Sequence, residues 1–107
     1  MKYVKLKAAI AAAEKEHGIH GLDFVSREIL HTVASANLMD VKIRSSDITA
    51  EGLFGTPPTV YSRLNKLVEG GWIIKKEDKD DRRAALLEIT PMARAKFKKM
   101  SKALERH

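Results

Sequence analysis

Two histidines three positions apart, His17 and His20, could share one helical face and offer a metal two nitrogens. Gly18 falls between them near an expected helix end, and no carboxylate-rich set completes a ligand shell. No metal and no cofactor are therefore expected. Ser45, Ser46 and Ser62 form no nucleophile pattern with the histidines, and there is no glycine-rich phosphate loop. Asp80-Asp81 is a carboxylate pair, yet it lies among lysines and arginines in a stretch where nothing shields it or tunes its pKa. The absence of cysteine excludes disulfide scaffolds and cysteine-ligated zinc or iron–sulfur centres. The residues point away from an enzyme.

A different chemistry, hydrogen bonding to the edges of bases and to phosphates, is available between Thr56 and Gly71. Val60, Leu64, Leu67 and Val68 recur at i, i+4, i+7 and i+8, so they face a core. Thr59, Tyr61, Ser62, Arg63, Asn65 and Lys66 are then left facing outward. Arg63 can pair with guanine, Asn65 with adenine, and the hydroxyls can hold phosphates. The helix N-terminus at Thr56 offers free N–H groups to a phosphate. Further on, Glu77-Asp78-Lys79-Asp80-Asp81-Arg82-Arg83 forms a charged loop whose Arg82 and Arg83 can reach a minor groove, where negative potential concentrates. Lys79 is a further candidate DNA contact in that loop. Its four acidic residues oppose this use unless they hold the arginines in place.

The elements that must position these residues are legible from periodicity and turn chemistry. Lys2 to about His17 is alanine-rich and unbroken, with Tyr3, Leu6, Ile10, Ala13 and His17 on one stripe. Asp23 caps a second helix to about Leu38, with Val25, Ile29, Val33 and Ala36 inward and Phe24 and Leu30 widening the face. Val41-Lys42-Ile43 alternates as a very short strand. Ser46 caps a short third helix containing Ile48 and Leu53. Thr56-Pro57 opens the fourth, which stops at Gly70-Gly71. Residues 72–76 and 84–89 read as two strands of a hairpin around the charged loop. Thr90-Pro91 opens a last helix with Ala93, Phe97, Met100 and Leu104 on one face. The fold class is mainly α with a small β-hairpin, in the order α-α-β-α-α-β-β-α: a winged helix-turn-helix.

The chain of 107 residues suits one such domain, spanning 1–107. Met1 to Lys7 followed by alanines has the outline of a signal sequence, but three lysines interrupt it and no run approaches the ~20 apolar residues of a membrane span. The expectation is a cytoplasmic protein with no membrane partner. Net charge is +6, and Arg94, Lys96, Lys98, Lys99, Lys102 and Arg106 crowd the C-terminus while residues 21–70 are close to neutral. Such a basic excess attracts nucleic acid or anionic membrane without choosing between them.

From Ser46 to about Leu104 the chain resembles the winged-helix core of the MarR family of bacterial transcriptional regulators. The wing is similar to that family's Asp, then Asp-x-Arg, then a strand ending in Leu-Thr-Pro: here Asp78, Asp81-Arg82-Arg83 and Leu86-Leu87-Glu88-Ile89-Thr90-Pro91. The recognition helix from Thr59 to Leu67, closed by Gly71-Trp72-Ile73, and the Ser46-Asp47-Ile48 helix start also resemble the family's. The resemblance implies that Arg83 enters the minor groove, that Asp81 orients it through an ion pair, and that Ser62, Arg63 and Lys66 meet bases or phosphates. The connection from Ile48 to Thr59 is one residue longer than usual, and Ala93 stands where many members carry glycine. The end near Leu104 reads as a short form lacking the family's additional C-terminal helix.

The expected function is a sequence-specific regulator of transcription bound to double-stranded DNA as a homodimer, with residues 1–20 and 91–107 as dimerisation elements. The rival is a winged-helix protein–protein interaction module without sequence-specific DNA binding, which the acidic half of the wing favours. No small-molecule effector can be read from the sequence.

Overall fold

A computed structural model describes residues 1–50, 52–81 and 84–105. Helix α1 (Lys2–Glu16) ends at Gly18, whose φ of +80° reverses the chain into a single 3-10 turn, Ile19–Gly21. Helix α2 (Phe24–Leu38) starts where Asp23 Oδ1 accepts the Ser26 N–H at 2.7 Å. Helix α3 (Ser45–Thr49) and helix α4 (Pro57–Glu69) follow. Strands β1 (Ile73–Glu77) and β2 (Ala85–Ile89) pair antiparallel, with Ile73 opposite Ile89 and Glu77 opposite Ala85. Helix α5 (Pro91–Leu104) closes the order. Its cap is Thr90, whose hydroxyl accepts the Ala93 N–H at 3.1 Å and donates to the Gly71 carbonyl at 2.5 Å. One threonine therefore joins the start of α5 to the turn before β1.

The core lies where α2, α4 and the hairpin meet. Ile29, Leu30, Val33, Val60, Leu64 and Leu67 are fully buried, with Ile73, Leu87 and Ala93 beside them. Full burial of a side chain of this kind is worth about 1.5–3 kcal/mol. Helix α1 packs against α5 at one end of a body measuring 46 × 25 × 23 Å. No helix among the described residues is long and apolar enough to cross a membrane.

Four expectations need correction. Val41 to Ile43 form no strand; the segment contributes one antiparallel bridge, Arg44 to Leu86, with the Leu87 N–H donating to the Ile43 carbonyl at 2.9 Å. Asn37 supplies what a longer strand would have: its Oδ1 accepts the Ile89 N–H at 2.8 Å and its Nδ2 donates to the Leu87 carbonyl at 3.3 Å. A side-chain amide carries both a donor and an acceptor, so it can stand in for a peptide group on a strand edge.

Second, α3 begins two residues early. Arg44 is its N-cap, and Asp47 Oδ2 accepts the Arg44 N–H at 2.8 Å, so Ser46 is inside the helix. Leu53 lies beyond its end and is exposed. Third, Phe24 at the first position of α2 is 66% exposed and does not widen the core face. Fourth, Val68 is exposed near the end of α4, because it lies at the margin of the arc centred on the fully buried Val60, Leu64 and Leu67.

Candidate nucleic-acid interface

Helix α4 has two chemically different faces because its apolar residues follow the helical period. Val60, Leu64 and Leu67 are buried against the core; Thr56, Thr59, Tyr61, Ser62, Asn65 and Lys66 are exposed. The paired prolines at its start set the helical φ without losing a needed N–H bond. Thr56 makes no side-chain cap. Its hydroxyl donates to Thr59 Oγ1 at 3.2 Å. Because Pro57 and Pro58 have no N–H and the Val60 N–H bonds to the Thr56 carbonyl, the first turn offers an external acceptor the Thr59 N–H rather than the several N–H groups expected. A left-handed Gly71, φ +78°, then turns the chain into β1.

Arg63 departs from its outward neighbours. It is half-buried, with Nη1 3.0 Å from Asp23 Oδ2 at the N-terminus of α2, and its Nε is enclosed with no hydrogen-bond partner among the described residues. The Asp23 carboxyl is held below the usual carboxylate range, chiefly by the Ser26 backbone N–H it accepts and further by Arg63 and Lys66. Asn65 is tied to the wing: Lys75 on β1 donates to its Oδ1 at 3.0 Å. That bond uses one of the two lone pairs of the oxygen and leaves Nδ2 as a donor.

The base of the wing is anchored by a residue that composition hides. Asp78, one of the four acids of the charged loop, is 1% exposed. Its Oδ1 accepts the Asp80 N–H at 3.0 Å and its Oδ2 accepts Arg44 Nε at 2.5 Å. The Asp80 N–H and then Arg44 hold its carboxyl below the ordinary range, against the upward pull of burial. Arg44 is pushed up in return, first by its bond to Asp78. Asp80 pairs with Lys42 at 3.0 Å, and Glu88 with Lys76 at 2.7 Å. Asp78 and Asp80 are thus turned to cations outside the hairpin, while Glu88 pairs across it, and Arg44 was not foreseen as the partner of any of them. The cue available was Asp78 in the family-like pattern, although nothing in the sequence named its partner.

Of the expected wing contacts, Lys79 is exposed at the loop. Asp81 is half-buried and close enough to Arg44 to contribute to its raised pKa. Arg82 and Arg83, and with them the ion pair expected from Asp81, lie outside the described residues, as does Arg106. Among the described residues no group of three or more metal-ligating side chains forms.

Residues 22–93 match the model of a family described as winged helix DNA-binding domain. No curated protein matches the chain. Among solved structures, the chain is similar to transcriptional regulator Tm0710 from Thermotoga maritima, at 20% identity and a TM-score of 0.68 over 92% of this chain and 66% of that one. It is similar to a variant of MepR from a multidrug-resistant S. aureus clinical isolate, at 17% identity and a TM-score of 0.72 over 99% and 72%. The structure of MarR aligns at 20% identity and a TM-score of 0.63 over 97% and 72%. The fold expected from the MarR-like motifs is therefore the fold observed. The chain spans about two thirds of the length of the Tm0710 chain.

Proposed function

Because the chain belongs to the winged helix DNA-binding domain family, we propose that it is a transcriptional regulator that reads a specific duplex sequence as a homodimer. Helix α4 lies in the major groove, whose width of about 12 Å admits one helix. The wing reaches the adjacent minor groove or backbone through Lys79, Arg82 and Arg83, with Asp81 orienting Arg83. The observation that carries the reading is the division of α4: three fully buried apolar side chains fix its orientation, and a continuous exposed face bears Thr59, Tyr61, Ser62, Asn65 and Lys66. Pairing of Asp78 and Asp80 with Arg44 and Lys42 supports the wing's part, since it partly neutralises the carboxylates that would repel phosphate.

Dimerisation is assigned to α1 and α5. Tyr3 is 70% exposed, and Val4 and Leu6 are exposed beside it, so the outer half of α1 carries apolar surface that the chain itself does not cover. A two-fold protein reads two half-sites about one DNA turn apart.

The test is selection of bound duplexes from a random pool, with the native chain and Arg83→Ala side by side at two salt concentrations. Enrichment of a two-fold-symmetric site, weakened in the folded variant, is the expected result. Salt-sensitive retention without enrichment would leave a nonspecific DNA binder. No retention even at low salt would replace the proposal with a protein-interaction module.

A further inference from the structure

At the margin of the exposed face of α4 stands one cation that the fold has already engaged. Arg63 gives an Nη1 hydrogen to Asp23 Oδ2 at 3.0 Å, while its Nε is enclosed without a partner among the described residues. A guanidinium has five N–H donors in a rigid fork. With Nε turned inward and one Nη1 hydrogen committed, only the remaining Nη hydrogens can meet an external acceptor. Asp23 is itself fixed, because its other oxygen accepts the Ser26 N–H at 2.7 Å as the cap of α2. Both partners keep partial access to solvent, at 31% for Arg63 and 41% for Asp23, so the pair lies at the surface that DNA would approach.

We infer that Asp23 is a specificity-determining positioning residue: by holding Arg63 against the start of α2, it prevents that side chain from acting as a free phosphate clamp and presents its remaining donors in one orientation. The inference rests on the proposed DNA-reading role of α4. An unrestrained arginine finds a phosphate on any duplex, and such contacts carry affinity without sequence information. A fixed fork discriminates, because bidentate pairing to a base edge requires a set direction. The carboxylate also faces Lys66, whose charge contributes to its lowered pKa, so releasing it would alter the balance of charge at two positions of α4.

The informative variant is Asp23→Asn. Asparagine is an equally good N-cap; with its oxygen on the Ser26 N–H it turns an NH2 group toward Arg63, where two donors cannot pair. Affinity is measured across a salt series for the site selected by the native chain and for a scrambled duplex of equal length. The variants are Asp23→Asn, Arg63→Ala and the double variant, with folding checked by thermal melting. For Asp23→Asn the scrambled duplex should bind more tightly, its log–log salt slope steepening by about 0.9, the equivalent of one phosphate contact. Preference for the selected site should fall about tenfold. In the Arg63→Ala background the same change should move neither quantity.

A folded Asp23→Asn chain with native slope and preference would overturn the inference. So would an equal change in the absence of Arg63, which would make Asp23 only a diffuse negative charge. If Asp23→Asn does not fold, Asp23→Ser keeps a capping oxygen without the charge and is read in the same way. A native chain with no sequence preference would remove the DNA-reading role beneath the inference; a native chain that prefers its site while the variant equals it removes the inference alone.

Discussion

Arg44 and Asp78, 34 positions apart in the chain, meet through Nε and Oδ2 at the base of the wing. Arg44 also caps α3, since its own N–H is accepted by Asp47, and it makes the single bridge to Leu86. The pair thus joins the helix before the recognition helix to the hairpin. In a charged loop, the buried position would be expected to fall to an apolar residue; here a carboxylate takes it because two donors satisfy both of its oxygens.

Acid should loosen this anchor. The folded-state pKa of Asp78 is depressed, so its contribution is complete above the unfolded value of about 3.9 and is lost as pH falls through the lower folded value. Thermal midpoints of the native chain should decline as pH falls below about 4. Asp78→Asn should melt lower at neutral pH and show a shallower acid decline, with the residual slope coming from Asp23, which is shifted the same way. Parallel curves for the two proteins would exclude Asp78 as a source of the acid sensitivity.

Removing the Asn37 amide should free the outer edge of β2. Asn37→Ala leaves the Ile89 N–H and the Leu87 carbonyl without their partner, at a cost of about 1–3 kcal/mol in unfolding free energy. Hydrogen exchange is the local readout. The Ile89 amide should lose protection more than the Leu87 amide, which bonds instead to the Ile43 carbonyl. Equal loss at both would indicate global destabilisation rather than a released edge.

The helices and the hairpin were legible because each is announced locally. Asp23, Thr56-Pro57 and Thr90-Pro91 mark starts, and the spacing of Val60, Leu64 and Leu67 marks a buried face. What stayed hidden depends on partners distant in sequence. Val41 to Ile43 alternates like a strand, but contact with β2 is confined to the Ile43 carbonyl and Arg44, and the next stretch of that edge is satisfied by an asparagine on a helix. Phe24 and Val68 fit the apolar period and still face solvent, because periodicity gives the centre of a face and not how wide an arc or how long a stretch of it the neighbouring elements cover. Outward polar positions on α4 were readable as a set; that Asp23 holds Arg63 and Lys75 holds Asn65 was not.

Asn65 and Lys66 are adjacent on α4 and should fail differently. Lys66→Ala removes a point charge, so affinity should drop similarly on all duplexes and the salt slope should flatten by about 0.9. Asn65→Ala removes a directional group, so the loss should be about 1–3 kcal/mol, confined to one base pair of the site. Scanning each base pair of the selected site against both variants measures this. Matching profiles for the two variants would contradict the division of roles.

The exposed apolar half of α1 gives the prediction for assembly. Tyr3 is 70% exposed and Leu6, one helical turn on along the same stripe, is 37% exposed, in a helix whose buried anchor is Ala13 further along. Tyr3→Glu should therefore leave the stability of the monomer fold nearly unchanged, within about 0.5 kcal/mol, because that side chain, 70% exposed, contributes little to the chain's own core. If two copies join through this surface, a buried unpaired carboxylate at the seam should shift the sedimentation equilibrium strongly toward monomer. Binding to a two-fold-symmetric site should weaken far more than binding to a single half-site, since the second half-site is engaged at high effective concentration only when the copies are joined. A variant that sediments as the native chain does would place the dimer seam elsewhere and leave α1 without that role.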